Sequence, residues 1–238
     1  ICSGHISIRF GLRGPNFTTV AACASSTNAL IDAFNYIRLG KANAIVTGGS
    51  EAAINESGMG GFNACQAMST RNESPETASR PYDKDRDGFV LGEGGAALIL
   101  ESLDHALARG ARIYAEIGGA GLSADAHHIT APSPGGVGAM SCMQQALDDA
   151  GLTVSDIKQI NAHGTSTPLN DRAESEAVAA LFGNPTPPVT SIKGVTGHPL
   201  GAAGALEAAA VLLSFEHGLI PPTANTTKLG DDITCDVV

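Results

Sequence analysis

Residues 14–30 have the sequence GPNFTTVAACASSTNAL, which changes periodicity half-way along. The first half, from Phe17 to Ala22, is small, β-branched and apolar, a composition typical of a buried strand. From Ser25 onward apolar residues recur at helical spacing, and Gly40 follows at the position of a C-cap. The stretch therefore predicts a strand and then a helix, joined by a turn that contains Cys23.

The predicted place of Cys23 favours a nucleophile. Unpaired N–H groups and the positive end of the helix dipole stabilise a thiolate at a helix N-terminus. The small neighbours Ala22, Ala24 and Ser25 leave room for a substrate carbonyl, as in a nucleophile elbow. A buried structural cysteine is the competing interpretation, and this stretch alone does not decide between the two.

The composition is that of a well-buried globular protein. Of the 238 residues, 43% are hydrophobic and 29 are glycine, which favours tightly packed α/β layers. A formal charge of −10 disfavours nucleic acid as a partner. There is no apolar run of about 18 residues, so we expect no membrane-spanning segment.

The cysteines indicate a reducing compartment, and we expect a cytoplasmic protein. They are far apart and form no C-x-x-C pair, so neither a zinc site nor a disulfide framework is predicted. The five are Cys2, Cys23, Cys65, Cys142 and Cys235.

Both ends of the sequence pass through apolar segments. The chain starts at Ile1 without a Met and continues into Ile6-Ser7-Ile8, which has the composition of a strand. It ends in the apolar run 233–238. We therefore expect these residues to be part of a longer protein.

Elsewhere, hydrophobic patterning predicts alternating strands and helices in two α/β halves, residues 1–111 and 112–238. The first half is expected to hold a βαβ unit over residues 18–48, and the polar segment 71–86 is expected to be a surface excursion. Strands are predicted at 18–22, 43–48, 94–100, 113–119, 157–162 and 189–192, and helices at 25–39, 103–109, 136–150, 171–182 and 201–217.

Two histidines follow predicted strands in turns rich in Gly and Thr. His163 lies in NAHGTSTPLND, residues 161–171, and His198 lies in SIKGVTGHPLGAAGALE, residues 191–207. Catalytic groups gather at the carboxyl ends of strands in open α/β sheets. A single histidine in such a turn would more often have a structural role. Two of them, together with a lysine and a cysteine in an elbow turn, fit a catalytic site better.

The motifs together resemble a known family. The sequences AACASS, RPYDKDRDGFVLGEGGA, NAHGTSTPLND and KGVTGHPLGAAGALE are similar, in this order, to those of β-ketoacyl-[acyl-carrier-protein] synthases. The resemblance is strongest to the elongating type II enzymes of fatty-acid synthesis, and it runs through essentially the whole chain. It implies an α/β thiolase fold, in which two similar halves stack as α-β-α-β-α layers, and a homodimer.

The resemblance also implies the site residues. The family's nucleophile corresponds to Cys23, and its two active-site histidines correspond to His163 and His198. The lysine that supports the second histidine corresponds to Lys193, and the helix acid behind them to Glu207. Further positions implied by the resemblance are Thr130, Thr165 and Thr167 on the pantetheine arm, Phe62 and Phe89 at the acyl pocket, and Asp171 in support.

The implied reaction is a decarboxylative condensation. An acyl group moves from a carrier thioester to Cys23, malonyl-carrier loses CO2, and the resulting enolate attacks the acyl-enzyme. His163 and His198 would donate through Nε2 to the enolate oxygen, a task that suits neutral imidazoles. The partner is then an acyl carrier protein with acyl and malonyl groups. Its phosphopantetheine arrives with it, so no resident cofactor and no metal are expected.

Two alternatives stay open at this point. A ketosynthase of a polyketide pathway shares the Cys-His-His chemistry. A non-catalytic chain-length subunit belongs to a different class, and Cys23 counts against it because such subunits lack the nucleophile. Thiolases and initiating synthases are disfavoured, since the former carry a second active-site cysteine and the latter an asparagine where His198 stands.

Overall fold

The computed structural model describes residues 2–238, which form two compact units. Neither unit is continuous in sequence, and the boundary expected between residues 111 and 112 stays a prediction. The first unit comprises the residues up to Glu51, Gly94–Tyr114 and Leu200–Ala209, and the second comprises Ala52–Glu93, Ala115–Pro199 and Ala210–Val238.

Helices and strands alternate irregularly along the described residues, and short 3₁₀ turns join several of them. In chain order they are α1 (Cys2–Phe10), α2 (Ser25–Arg38), β1 (Ala44–Glu51), α3 (Glu56–Ala64), β2 (Gly94–Glu101), α4 (Leu103–Ala108), α5 (Val137–Ala150), β3 (Ile160–Asn161), α6 (Pro168–Phe182), β4 (Val189–Thr190), α7 (Lys193–Thr196) and α8 (Ala203–His217).

The first unit is built on an antiparallel ladder between β1 and β2. The register runs from Ala44 opposite Glu101 to Glu51 opposite Gly94. At Gly48 the two strands approach so closely that a Cβ atom would lie 2.1 Å from the carbonyl oxygen of Ala96. A residue with a side chain would force the ladder apart at this point.

Helix α2 packs in the first unit through small residues. Ser26 is buried, and its Oγ accepts a hydrogen bond of 3.0 Å from the backbone N–H of Ala205. A Cβ atom at Gly204 would lie 2.0 Å from Oγ1 of Thr27, so the start of α8 can lie against α2 only with glycine there. The helix ends as predicted, because Gly40 has a φ of +67° and donates to the carbonyl of Ile37.

The remaining predicted helices and four of the predicted strands are also found, with shifted ends. Strands β3 and β4 are shorter than the sequence indicates, at two residues each. The helix predicted from residue 171 begins earlier, at Pro168, whose missing N–H suits a first helical position.

Three strand predictions are wrong. Residues 18–22 form no strand beyond an isolated bridge between Ala21 and Cys23, residues 6–8 lie inside α1, and residues 113–119 have no regular structure. A strand needs a neighbour, and within residues 2–238 the structure pairs none of these segments in a ladder. The βαβ unit is wrong for the same reason, since β1 pairs with β2 in the antiparallel sense.

In the second unit β3 and β4 run parallel, with Ile160 opposite Val189. The last residues of the chain join them, because Val189 N–H donates to the carbonyl of Asp236 at 2.7 Å. The buried core around this sheet consists of Tyr82, Ala162, Val178, Val189 and Cys235.

The expectation of a surface excursion at 71–86 is wrong for its second part. Asp83 is 1% exposed and Arg86 8%. Their charges are satisfied from remote parts of the chain, since Asp83 accepts from the backbone N–H groups of Thr227 and Lys228 at 2.8 and 3.0 Å. Arg86 pairs with Asp232 at 2.7 Å.

Hydrogen bonds from backbone N–H groups also lower the pKa of the Asp83 carboxyl. Burial raises the pKa of its carboxyl, but hydrogen bonds from Asp85, Lys228 and Thr227 outweigh burial and hold the pKa below its ordinary value. Asp83 therefore stays ionised and fixes segment 80–86 to the chain around residue 228.

No helix among residues 2–238 has the length and apolar character needed to cross a membrane.

We expect Asp83→Ala to lower the free energy of unfolding by about 3 kcal/mol, since the backbone N–H groups of Asp85, Thr227 and Lys228 would lose their acceptor. Asp85→Ala is the matched control, because that side chain is exposed and its backbone N–H is kept. Urea unfolding at pH 7 measures both. Equal stability of the two variants would contradict the anchoring role of Asp83.

Candidate active site

In the first unit, Cys23 lies in a tight turn two residues before α2 and is half-buried. Ala22 has a φ of +46°, a conformation that residues with a Cβ rarely adopt. The side chain of Ser25 holds it, because Oγ donates to the carbonyl of Ala22 and accepts from the N–H of Ala21, at 2.7 and 2.8 Å. The predicted turn before a helix N-terminus is thus present, although the strand before it is not.

In the second unit, His163 lies two residues after the end of β3. The carboxylate of Glu174 on α6 fixes the backbone there: Oε1 accepts from the N–H of His163 at 2.6 Å, and Oε2 accepts from the N–H of Gly164 at 2.8 Å. Gly164 has a φ of +39°, and a Cβ atom there would lie 2.5 Å from that of Ser191. Only glycine fits this turn, which places the imidazole at the end of the strand.

Lys193 is 1% exposed and lies against His163. Its Nζ donates to the carbonyl oxygen of His163 at 2.5 Å and lies 3.3 Å from Nδ1 of the ring. An ammonium group offers only donors, so Nδ1 acts as the acceptor and the ring proton is on Nε2. The structure places Nζ against the first histidine, and the support of the second histidine that the resemblance implies for Lys193 stays a prediction.

His198 lies beside His163. Its ring is edge-on to that of His163, with centroids 5.0 Å apart and an interplanar angle of 84°. Its backbone pairs with an extended segment, since His198 N–H donates to Val90 at 2.7 Å and its carbonyl accepts from Gly92 at 3.0 Å. Two imidazoles from different loops are thus brought into contact.

Both histidines are held neutral. Burial, and then the positive charge of Lys193, lower the pKa of His198 to about 3. The same two causes, followed by His198, bring the pKa of His163 well below its ordinary value. Neutral rings with a proton on nitrogen can donate to an oxygen on which negative charge develops.

Two aromatic side chains lie near His198, one contacting the histidine ring and the other contacting the first aromatic ring. Phe89 is 5% exposed and lies edge-on to the His198 ring at 5.4 Å, and Phe62 lies edge-on to Phe89 at 5.3 Å. The apolar surface predicted for these two phenylalanines is therefore next to one of the histidines. Their role towards an acyl chain stays a prediction.

The predicted threonines occupy two different loops. Thr165 and Thr167 follow His163, and their hydroxyl oxygens are 2.8 Å apart. Thr130 is exposed, and its backbone N–H donates to Nδ1 of His128 at 3.2 Å. Contact of all three with a pantetheine arm stays a prediction.

Asp171 is bonded to the segment that contains Tyr82, and its supporting role towards the catalytic residues stays a prediction. It is fully buried, and Oδ2 accepts from the N–H of Tyr82 at 2.8 Å. Burial raises its pKa to about 6, although Arg86 at 3.7 Å favours the charged form. Glu207 lies on the part of α8 that belongs to the first unit, and its orienting role stays a prediction.

Sequence reasoning missed two residues. Glu174 lies three residues beyond the motif 161–171, and the sequence predicts no role for it. Tyr82 lies in segment 71–86, for which a surface excursion is predicted. The signal for Glu174 was its spacing from Asp171, since residues three apart share one face of a helix. Tyr82 gave no such signal.

Comparisons with known proteins agree with the motifs. The family model for the N-terminal domain of β-ketoacyl synthases matches residues 1–106, and the model for the C-terminal domain matches residues 114–227. The chain belongs to the β-ketoacyl synthase family. The resemblance predicted from the sequence is confirmed.

Named members of the family are similar over the whole chain. The 3-oxoacyl-[acyl-carrier-protein] synthase 2 of Rhizobium meliloti is 50% identical over an alignment of 241 positions, which covers 100% of this chain and 57% of that protein. A putative mitochondrial 3-oxoacyl-[acyl-carrier-protein] synthase of Schizosaccharomyces pombe is 48% identical over 99% of this chain and 57% of that protein. The chain thus spans little more than half the length of these relatives.

Solved structures of synthases confirm the thiolase fold. A β-ketoacyl synthase from Burkholderia phymatum has a TM-score of 0.95 at 40% identity, covering 99% of this chain and 57% of that one. A type II polyketide ketosynthase, solved in complex with its acyl-carrier protein, has a TM-score of 0.97 at 36% identity, covering 99% and 59%.

We expect Cys23 to be alkylated faster than the other four cysteines, because it precedes a helix N-terminus. Burial raises the pKa of the Cys142 thiol, and that of Cys235 to about 11, which slows both. Peptide mapping after limited iodoacetamide treatment of the full-length protein measures the five rates. Labelling of exposed Cys65 at the same rate as Cys23 would count against an activated thiolate.

Proposed function

We propose that the full-length protein is an elongating β-ketoacyl-[acyl-carrier-protein] synthase. The observation that carries the proposal is the pair of neutral imidazoles at His163 and His198, whose rings are 5.0 Å apart and whose pKa values are lowered by burial and by Lys193. Neutral donors in a water-poor surrounding suit an enolate oxygen, since they lose little free energy to reorganisation when charge develops.

The first half-reaction is acyl transfer. The thiolate of Cys23 attacks the carbonyl carbon of an acyl-carrier thioester, the bond to the pantetheine sulfur breaks, and the carrier leaves as its thiolate, which takes up a proton from water. The acyl group is then a thioester of Cys23.

The second half-reaction forms the new bond. Malonyl-carrier loses CO2, and the electron pair of the broken bond forms an enolate, whose oxygen accepts from Nε2–H of His163 and His198. The enolate carbon attacks the acyl-Cys23 carbonyl, and the bond from that carbon to sulfur breaks. The product is a β-ketoacyl-carrier, and Cys23 returns to the thiolate.

The substrates and partners belong to the same proposal. An acyl carrier protein would deliver both groups on its phosphopantetheine, so the synthase needs no resident cofactor. We propose a cytoplasmic homodimer. Fatty-acid elongation is favoured because the relatives at 48–50% identity are named 3-oxoacyl-[acyl-carrier-protein] synthases, whereas the polyketide ketosynthase is 36% identical. Cys23 still counts against a non-catalytic chain-length subunit.

The two half-reactions can be separated in the full-length protein. Cys23→Ala should abolish the acyl-enzyme and condensation but leave measurable CO2 release from malonyl-carrier. His163→Ala and His198→Ala should each lower CO2 release by roughly 10²-fold, the usual loss for one such donor. Acylation should survive better in both, since the helix N-terminus still favours the thiolate.

Radiolabelled CO2 release and intact-mass acylation measure the two steps, and His217→Ala, at an exposed position, is the control. If both histidine variants decarboxylate normally while failing to acylate, the histidines serve the cysteine and the assigned roles are wrong.

A further inference from the structure

Tyr82 is a fully buried residue in an otherwise polar segment of the second unit. Its φ is +64°, which costs free energy for any residue with a Cβ. The backbone is held on both sides, because Tyr82 N–H donates to Asp171 at 2.8 Å and its carbonyl accepts from the N–H of Gly230 at 3.0 Å. Such strain persists only where the surroundings fix the residue.

The phenol of Tyr82 points at a carboxylate. Its O–H donates to Oε2 of Glu174 at 2.8 Å. Burial raises the pKa of the phenol well above its ordinary value, and the nearby charges of Glu174 and Asp171 raise it further. The hydroxyl therefore keeps its proton and remains a donor to Glu174.

Glu174 connects the Tyr82 phenol to the turn at His163 and Gly164. Its carboxylate accepts three hydrogen bonds: from Tyr82 O–H, from His163 N–H and from Gly164 N–H. The Tyr82 ring also packs on the same turn, since a Cβ atom at Gly164 would lie 3.1 Å from Cε2 of the ring. Tyr82 thus reaches the backbone of His163 through one carboxylate, and it packs directly on the neighbouring Gly164.

We propose that Tyr82 is a positioning residue for His163. Its hydroxyl fixes the Glu174 carboxylate, which in turn fixes the turn that carries the imidazole. The inference rests on the proposed function, because His163 is the group that meets the enolate oxygen there. Tyr82 itself touches neither the imidazole nor the substrate in this scheme.

The geometry gives the hydroxyl a larger effect on one half-reaction than on the other. Without it, Oε2 of Glu174 keeps a single donor and the carboxylate can rotate away from the two backbone N–H groups. A small displacement of a hydrogen-bond donor from the position of a developing charge lowers the rate without weakening substrate binding. Transfer of the acyl group to Cys23 does not use His163 as a donor in the proposed scheme.

The test is Tyr82→Phe in the full-length protein, which removes only the hydroxyl. We expect kcat for CO2 release from malonyl-carrier to fall roughly tenfold with KM unchanged, and acylation of Cys23 to stay within about twofold. Tyr114→Phe is the matched control, because that tyrosine is 54% exposed. Equal losses in both half-reactions, or no loss in either, would overturn the inference.

Glu174→Gln provides the second variant. If Tyr82 acts through Glu174, the double variant should be no slower in CO2 release than Glu174→Gln alone. Multiplied losses would show that Tyr82 acts by another route and would overturn the inference.

Amide hydrogen exchange at His163 and Gly164 tests the positioning role of Tyr82 without a measurement of activity. Tyr82→Phe should speed exchange at these two amides several-fold, and Tyr114→Phe should not. If the wild-type protein releases no CO2, the proposed function fails while exchange still decides the positioning role. If the wild type is active and exchange is unchanged, the positioning role fails alone.

Discussion

Lys193 holds a buried ammonium group against the backbone carbonyl and Nδ1 of His163. Removing a charge from water is costly unless hydrogen bonds replace the lost hydration, so the two acceptors on His163 help to offset the burial of this lysine. The ammonium directs the ring proton of His163 to Nε2. Burial, and then the positive charge of Lys193, lower the pKa of both histidines. The ring tautomer that the proposed chemistry requires of His163 depends on this one contact.

The surrounding structure keeps that contact in place from two directions. Ser79 Oγ donates to the carbonyl of Lys193 at 2.5 Å, which ties the lysine to the segment that also contains Tyr82. Glu174 holds the His163 backbone from α6. Asp83 fixes the segment that contains Ser79 and Tyr82 to the chain near residue 228. The carboxylates of Asp83 and Glu174 therefore act here by accepting hydrogen bonds from backbone N–H groups, which fixes the backbone at these points.

Local patterns predicted the parts of the site that depend on local structure. The turn at Cys23, helix α2 and its C-cap at Gly40 follow from periodicity within a few residues, and the histidine motifs follow strands β3 and β4 as expected. The strand predicted before Cys23 failed because a strand is defined by a neighbour that local sequence does not supply.

Tyr82 shows the same limit more clearly. Its partner Glu174 is 92 residues away in sequence, and the charged neighbours of Tyr82 gave segment 71–86 the composition of an exposed loop. The Asp83 carboxylate in this segment can be buried because the backbone N–H groups of Thr227 and Lys228 donate hydrogen bonds to it. Contacts of this kind arise from tertiary structure, so composition alone does not predict them.

The protonation state of the His163 ring is the most direct test of this account. A long-range ¹H–¹⁵N correlation spectrum of ¹⁵N-histidine-labelled full-length protein distinguishes the two neutral tautomers from the imidazolium. Because burial and Lys193 lower the pKa of His163, we expect the tautomer with the proton on Nε2 both at pH 8 and at pH 6, below the ordinary histidine pKa of about 6.5. An imidazolium at pH 6, or a proton on Nδ1, would contradict the account.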